Sequence, residues 1–174
     1  MAGPIKAVFL DRDGVINRTV LRGGEQRPPQ DLGEWAWMDG VHATLRELSA
    51  RGYLLLVCTN QPDVARGAQT REQVEAFHAL IAQELPVQRV YVCYHDNHHA
   101  CVCRKPEPGM LLQAQRDFGV ELSESWMVGD RATDIAAGRA AGCRTVFMRT
   151  LPDAPSGAAD HEIATLAALL DIVR

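Results

Sequence analysis

Short apolar runs alternate with amphipathic stretches along most of the chain. Each run stops at polar residues or at glycine, and continuous apolar runs of this length are typical of strands buried on both faces of a parallel sheet. The runs predict strands over residues 5–10, 54–58, 87–93, 126–128 and 146–148.

The stretches between these runs carry the signals of helices. Residues 40–51 bring Val41, Leu45 and Leu48 to one helical face, and Thr70 with Gln73 has the pattern of a capping box. The predicted helices cover residues 40–51, 70–84, 108–118, 133–141 and 165–173. Strands that alternate with helices predict an α/β fold, with a doubly wound, mostly parallel, Rossmann-like sheet.

Composition and charge exclude several classes of protein. The 174 residues, 47% hydrophobic and 23% charged, suit a single globular domain over residues 1–174. A net charge of −4 disfavours nucleic-acid binding, because such binding depends on Lys and Arg. No apolar run reaches the length of a membrane span, and the first residues lack a signal-peptide pattern. We therefore expect a cytoplasmic protein with no membrane or nucleic-acid partner.

The polar residues of greatest interest lie where predicted strands end. Asp11 and Asp13 follow the first strand, Thr59 and Asn60 follow the second, and Asp130 follows the fourth. Open parallel sheets bind ligands at the carboxyl ends of their strands. One site can therefore gather residues that are distant in sequence.

Several residues suit phosphoryl-transfer chemistry. In a carboxylate pair such as Asp11 and Asp13, one group can act as nucleophile while the other moves a proton. By itself, an Asp-x-Asp pattern is more often a helix cap or a solvated turn. Lys105 offers a cation for a phosphoryl group, and Asp130 offers the oxygen ligands that Mg²⁺ prefers. Asp134 is explained equally well as an acidic residue in the first turn of a helix.

Taken together and in order, four segments resemble the four motifs of the haloacid dehalogenase superfamily. They are Asp11-Arg12-Asp13-Gly14, Thr59-Asn60-Gln61, Lys105-Pro106, and Gly129-Asp130 with Asp134. Further matches at residues 65–67, 103–106 and 108–110 resemble a subfamily of phosphatases that act on heptose bisphosphates and histidinol phosphate. The resemblance covers residues 5–149 and implies a phosphatase.

The resemblance implies a role for each carboxylate. Asp11 would be the nucleophile that forms an aspartyl-phosphate, and Asp13 would act first as general acid and then as general base. Mg²⁺ would be held by Asp11, by the backbone carbonyl of Asp13 and by Asp130, with Asp134 in support. Such positioning is needed because phosphate monoesters hydrolyse extremely slowly without a catalyst.

The resemblance also implies residues that bind a phosphorylated small-molecule substrate. The transferring phosphate would be held by Thr59, Asn60 and Lys105. Independently of the resemblance, position alone makes Arg104 the first candidate for contact with a distal phosphate or with hydroxyl groups, followed by Arg66 and Gln61.

A cysteine cluster follows the third predicted strand. The odd count of five cysteines argues against a disulfide framework. Residues 93–103 suit a structural, tetrahedral zinc site of the Cys₃His type, with the ligands Cys93, His95, Cys101 and Cys103. His98 and His99 are alternative ligands, and the resemblance favours His95. The alternative is that these are ordinary cytosolic thiols, with Cys93 at the end of a strand.

Two segments depart from the resemblance. Residues 18–34 lack the aromatic and histidine residues that are usual in this subfamily, and Pro62-Asp63 stands where Ser-Gly is frequent. The first segment is too short for a cap domain, so we expect a capless fold with an open site. The absence of an obvious apolar surface helix is compatible with a monomer.

The leading hypothesis is a Mg²⁺-dependent phosphatase that removes the 7-phosphate of D-glycero-D-manno-heptose 1,7-bisphosphate, a step in surface-polysaccharide synthesis. The alternatives are a histidinol-phosphate phosphatase, a broader small-molecule phosphatase, and a zinc-stabilised binding module without catalysis. The presence of Asp11, Asp13, Lys105 and Asp130 argues against a protein that has lost catalysis.

Overall fold

The computed structural model describes residues 3–174. Its strands are β1 (Ala7–Leu10), β2 (Val20–Arg22), β3 (Glu25–Arg27), β4 (Leu54–Asn60), β5 (Arg89–Cys93), β6 (Trp126–Gly129), β7 (Arg144–Met148) and β8 (His161–Ile163). Six of them form one sheet in the order β5-β4-β1-β6-β7-β8, and every pairing in it is parallel. The strands β2 and β3 pair only with each other, as an antiparallel hairpin.

The helices are α1 (Val41–Ala50), α2 (Arg71–Glu84), α3 (Gly109–Phe118), α4 (Ala132–Ala141) and α5 (Leu169–Ile172). The first four confirm the predicted helices to within one residue at each end. The capping box predicted at the start of α2 is present, with Thr70 and Gln73 bonding reciprocally. None of the helices in residues 3–174 is long and apolar enough to cross a membrane.

The predicted helix over residues 165–173 is confirmed in part, since residues 166–172 are helical but do not form one α-helix. A 3₁₀ turn at Leu166–Ala168 precedes α5, which has only four residues. Leu166, Leu169 and Val173 are buried at helical spacing, and this produces the apolar period in the sequence. A helical segment this short is only marginally stable by itself, so the packing of these three side chains sets its conformation.

Alternate side chains of β1 belong to two different hydrophobic cores. Val8 and Leu10 pack in the core that includes residues of α1, while Ala7 and Phe9 pack in the core that includes residues of α3. All four side chains are fully buried. Helices thus cover both faces of the sheet, which confirms the doubly wound α/β fold.

The strand order fixes the position of the site. The chain winds outward from β1 to β4 and β5, then crosses to β6 on the other side and winds outward again to β7 and β8. The crevice between β1 and β6 is therefore the switch point, where folds of this kind bind their ligands. Only the β2–β3 hairpin interrupts the connection from β1 to α1, so the insert is too small for a cap domain.

Candidate active site

Asp11 and Asp130 lie at the carboxyl ends of the neighbouring strands β1 and β6. The backbone N–H of Asp11 donates to the carbonyl oxygen of Val128 at 2.9 Å, which continues the parallel pairing beyond β1. Gly14 has a φ of +89°, and a Cβ atom there would lie 2.1 Å from Oδ2 of Asp130. The turn after β1 needs glycine both for its left-handed backbone and for the close approach of this carboxylate.

Lys105 joins two carboxylates. Its Nζ atom donates to Oδ1 of Asp11 at 2.7 Å, to Oδ1 of Asp134 at 2.6 Å and to the carbonyl oxygen of Cys58 at 2.7 Å. Burial by itself would lower the pKa of Lys105, but Asp11 and Asp134 outweigh burial and raise this pKa above its ordinary value. The ammonium group is therefore charged and fixed between the two carboxylates.

Asn60 fixes the backbone that carries Lys105. Nδ2 of Asn60 donates to the carbonyl oxygen of Lys105 at 3.0 Å, and Oδ1 of Asn60 accepts from the backbone N–H of Lys105 at 3.1 Å. The neighbouring Thr59 is 1% exposed, and its hydroxyl oxygen accepts from Nε2 of Gln61 at 2.8 Å. Both residues at the end of β4 therefore orient other groups of the site.

The carboxylate of Asp13 is held by three side chains. Arg12 donates from Nη2 to Oδ2 at 2.9 Å and to Oδ1 at 3.0 Å. Asn17 and Gln61 each donate from a side-chain amide at 2.9 Å. Burial would raise the pKa of Asp13, but Arg12 and these two amides lower it below its ordinary value. The amide nitrogen of Gln61, a candidate for contact with substrate, is thus bonded to Asp13 and to Thr59.

Negative charge at the site is only partly balanced by the protein. Burial raises the pKa of Asp11 to about 6; Lys105 opposes this increase, and Asp134 and Asp13 add to it. Burial, together with Asp11 and Asp134, raises the pKa of Asp130 to about 8. Raised carboxylate pKa values in a cleft are typical of a functional site that receives a cation or a proton.

Three carboxylates are arranged so that one cation can bridge them. Asp11, Asp130 and Asp134 each offer an oxygen, and these atoms lie within 4.8 Å of one another. Oδ1 of Asp130 is buried and has no hydrogen-bond partner among the described residues. An orphaned oxygen in such a donor set fits a hard cation such as Mg²⁺. The carboxylate of Asp13 faces Arg12 instead, so only its backbone carbonyl remains as a candidate ligand.

The cysteine loop brings together the four residues that the sequence nominates. Sγ of Cys93 lies 3.0 Å from Sγ of Cys103 and 3.8 Å from Sγ of Cys101. Nδ1 of His95 lies 3.5 Å from Sγ of Cys93 and 3.4 Å from Sγ of Cys103. One tetrahedral cation fits such a set of three sulfur atoms and one nitrogen, and zinc is the metal that most often takes it.

Oδ1 of Asp96 contacts the other two histidines of the loop, His98 through its backbone and His99 through its ring. The backbone N–H of His98 donates to Oδ1 of Asp96 at 2.9 Å, and Nδ1 of His99 lies 2.7 Å from the same oxygen. Of the three candidate histidines, His95 is therefore the one that lies among the cysteines.

An open cavity of about 540 Å³ adjoins the carboxylates, and the residues of β3 also line it. Arg104 lines the cavity and donates to the carbonyl oxygen of His95 at 3.2 Å and to Oδ1 of Asn97 at 2.6 Å. Arg66 lines it as well, with Nη1 3.3 Å from Oδ1 of Asp63. All three candidates for a distal contact, Arg104, Arg66 and Gln61, thus line the cavity, and Arg104 is bonded to the cysteine loop.

Comparison with known proteins decides the family. The profile of the HAD-hydrolase-like family matches residues 102–165. The D-glycero-beta-D-manno-heptose-1,7-bisphosphate 7-phosphatase of Salmonella typhi is 33% identical over 190 aligned positions, which cover 100% of this chain and 98% of that protein. The chain belongs to the haloacid dehalogenase superfamily. The enzyme of the same name from Escherichia coli K12 is 34% identical over 191 positions, covering 100% of this chain and 96% of the relative.

Solved structures of the superfamily share the fold. The D,D-heptose 1,7-bisphosphate phosphatase from B. bronchiseptica, complexed with magnesium and phosphate, has a TM-score of 0.81 and 27% identity, covering 97% of this chain and 98% of that chain. A putative HAD-like phosphatase from Mesorhizobium loti has a TM-score of 0.80 and 26% identity, covering 99% and 86%. These relatives confirm the predicted superfamily, and the chain is a phosphatase.

Sequence reasoning missed the residues that hold Asp13. Arg12 and Asn17 are both 0% exposed, although a charged and an amide residue beside a turn ordinarily face solvent. Their positions in or next to the first motif indicate that they lie near the site, but no local sequence pattern predicts that their side chains are buried. His78 on α2, which lies 3.4 Å from Arg12, carries no signal in the sequence at all.

Proposed function

We propose that this phosphatase removes the 7-phosphate of D-glycero-β-D-manno-heptose 1,7-bisphosphate through an aspartyl-phosphate on Asp11. One observation carries the chemistry: Asp11 lies at the switch point of the sheet, bonded to the buried Lys105 and open to a cavity of about 540 Å³. Support for the substrate comes from the curated relatives, which carry this activity in their names and match the chain over nearly their whole length.

In the first half-reaction, a carboxylate oxygen of Asp11 attacks phosphorus while the bond from phosphorus to the sugar oxygen breaks. The electron pair of the broken bond stays on the sugar oxygen, which takes a proton from Asp13. Because the pKa of Asp13 is lowered, this group is ionised in the free enzyme, and the proton it donates arrives with the phosphate monoester of the substrate. Lys105, bonded to Asp11, keeps a positive charge beside the reacting group throughout.

In the second half-reaction, Asp13 is a carboxylate and takes a proton from water, whose oxygen attacks phosphorus of the aspartyl-phosphate. The bond between phosphorus and Asp11 breaks, its electron pair returns to Asp11, and inorganic phosphate leaves. Asp13 ends protonated, as it was before it donated its proton. The hydrogen bonds from Arg12, Asn17 and Gln61 keep its carboxylate in one orientation for both transfers.

We assign a Mg²⁺ site to Asp11, the backbone carbonyl of Asp13 and Asp130, with Asp134 in support. The orphaned Oδ1 of Asp130 and the grouping of the three carboxylates support this assignment. When bound, Mg²⁺ supplies positive charge for the phosphoryl oxygens. Asp134 has a second task, since its Oδ2 accepts the backbone N–H of Arg131 at the start of α4.

We assign the transferring phosphate to Thr59, Asn60 and Lys105. One of the two N–H donors of the Asn60 amide is used by the carbonyl oxygen of Lys105, and the other is free for a phosphate oxygen as far as the described residues show. Asn60 and Lys105 both line the cavity, whereas the buried Thr59 supports this wall through Gln61.

We assign a structural zinc to Cys93, His95, Cys101 and Cys103. Four protein ligands leave no open position, so this metal holds the loop and takes no part in the reaction. The loop continues directly into Arg104, which faces the cavity and is proposed to meet the distal part of the sugar. Five free cysteines suit a reducing compartment, and we infer that the reaction takes place in the cytoplasm.

The substrate is tested by phosphate release on a panel. The panel holds both anomers of heptose 1,7-bisphosphate, fructose 1,6-bisphosphate, histidinol phosphate and 4-nitrophenyl phosphate, each with and without Mg²⁺. We expect kcat/KM for the β anomer to exceed every other value at least about tenfold, with the 1-phosphate retained in the product. A higher kcat/KM for histidinol phosphate would contradict the heptose substrate and leave the proposed mechanism unaffected. Similar kcat/KM values for all substrates would indicate a broader phosphatase.

A further inference from the structure

Arg12 is a charged residue in a fully buried position, and it is the largest fully buried side chain among the described residues. Burying a charge is costly unless partners surround it. The guanidinium has Asp13 on one side, with Nη2 at 2.9 Å from Oδ2. On another side Nη1 lies 3.4 Å from Nε2 of His78, and Cζ lies 5.1 Å from the centre of the Phe77 ring.

The partners of Arg12 other than Asp13 come from helix α2. Because the Arg12 N–H donates, Nε2 of His78 must accept, so this imidazole is neutral and carries its proton on Nδ1. Nδ1 faces Oε2 of Glu75 at 3.4 Å. Phe77 is fully buried and stacks on Trp35, with ring centres 5.0 Å apart. Helix α2 therefore gives Arg12 a rigid support on the side away from Asp13.

We propose that Arg12 is a positioning residue for Asp13 and that Phe77 and His78 hold it in that role. The inference rests on the proposed acid–base function of Asp13. Arg12 is fully buried and is absent from the residues that line the cavity, so it acts through Asp13 and not on the substrate. A carboxylate that donates and then accepts a proton must keep its orientation, because a misplacement of about 1 Å can cost about 100-fold in rate.

The first test uses Arg12→Lys, which keeps the positive charge and loses the planar set of guanidinium N–H donors. The activity of this variant is compared on two substrates that differ in their leaving group. A sugar alkoxide needs a proton as it leaves, whereas 4-nitrophenolate leaves without one. For the sugar phosphate of the panel that the native enzyme hydrolyses fastest, we expect kcat/KM to fall about 10- to 100-fold. For 4-nitrophenyl phosphate we expect a change of less than about threefold. Equal losses on both substrates would indicate a merely structural role and would overturn the inference.

The second test changes His78, which supports Arg12, and remains informative if Arg12→Lys does not fold. His78→Gln keeps a hydrogen-bond acceptor for Arg12, while His78→Leu removes it and leaves a buried donor unpaired. We expect His78→Leu to lose about tenfold in kcat/KM on the sugar phosphate, and His78→Gln to stay within about threefold of the native value. His42→Leu is the matched control, since His42 lies on α1 against Trp37 and its loss should not change kcat/KM.

Asp13→Asn, measured in parallel, separates the two proposals. If Asp13→Asn is inactive on the sugar phosphate and the Arg12 and His78 variants behave as the native enzyme, the positioning role is overturned and the proposed function stands. If Asp13→Asn retains full activity, the acid–base role of Asp13 and the positioning role of Arg12 are both overturned.

Discussion

The ammonium of Lys105 and the carboxylate of Asp11 form a buried ion pair, with Nζ 2.7 Å from Oδ1. The two residues are 94 positions apart in the chain, and the bonds from Asn60 to the backbone of Lys105 bring them together. Charge is thus in position before a substrate binds, and such preorganisation is among the largest contributions to catalysis.

Removing the positive charge of Lys105 should almost stop the reaction. We expect Lys105→Met to lower kcat at least about 100-fold, because the transferring phosphoryl group loses its fixed cation. Steady-state kinetics at saturating Mg²⁺ will test this. Lys6→Met is the control, since Lys6 forms an exposed pair with Glu124, and it should keep full activity.

Replacing Asp11, the proposed nucleophile, should abolish turnover and leave the fold intact. In Asp11→Asn the crowded carboxylates lose one negative charge, so we expect thermal stability equal to or above that of the native protein. Phosphate release and thermal unfolding will be measured together, with Asp153→Asn in the exposed loop as control. Comparable activity in a folded Asp11→Asn protein would refute the nucleophile assignment.

Alanine variants of Gly14 and Gly52 distinguish the effect of backbone strain on stability from the effect of a displaced Asp130 at the proposed cation site on activity. Gly14 and Gly52 have φ values of +89° and +88°, but a Cβ atom meets Asp130 at Gly14 and nothing within 4 Å at Gly52. Alanine should cost about 1 kcal/mol of stability or more at either position. Only Gly14→Ala should also lose activity, about tenfold or more, and require more Mg²⁺. An unchanged Mg²⁺ dependence in Gly14→Ala would count against the role of Asp130.

The purified protein should contain about one zinc ion per chain. A chelator should lower its melting temperature by at least about 5 °C, because the loop of residues 93–103 loses its metal ligand bonds. Cys101→Ser should lower the zinc content, and Cys143→Ala, a buried cysteine outside the cluster, should retain it. Fully active protein without zinc, determined by elemental analysis, would contradict the site.

Stability should depend on pH through His78. Burial, with Arg12 adding to its effect, lowers the pKa of His78 from 6.5 to about 4. Between these values the unfolded chain binds a proton that the folded chain does not, so the free energy of unfolding decreases as the pH falls from 6.5 to 4. The full effect is about 3 kcal/mol. Urea unfolding from pH 4 to 8 should show a shallower slope for His78→Gln; identical slopes would contradict the prediction.

The sequence predicts the location of the site because two simple rules act together. Apolar runs identify the buried strands, and the carboxyl ends of parallel strands meet at one edge of a sheet. Asp11, Asn60 and Asp130 therefore come together in the structure as expected, within a fold whose first four helices match their predicted ranges.

Other features depend on tertiary contacts that no local pattern shows. The partner of Arg12 on α2 is 66 residues away, so neither its burial nor its role follows from the first motif. The β2–β3 hairpin has a Gly23-Gly24 turn with positive φ at both residues, a known hairpin signal. Its strands, however, are only three residues long and largely exposed, so they lack the apolar alternation that identifies a strand.

That hairpin has an evolutionary consequence. Its two strands pair only with each other among the described residues, while residues 25–28 line the cavity that the carboxylates also line. Selection can therefore rewrite this segment without disturbing the sheet that aligns the reacting groups. We therefore expect changes at a few exposed positions of the hairpin to alter which substrates fit, while Asp11 and Lys105 keep their positions.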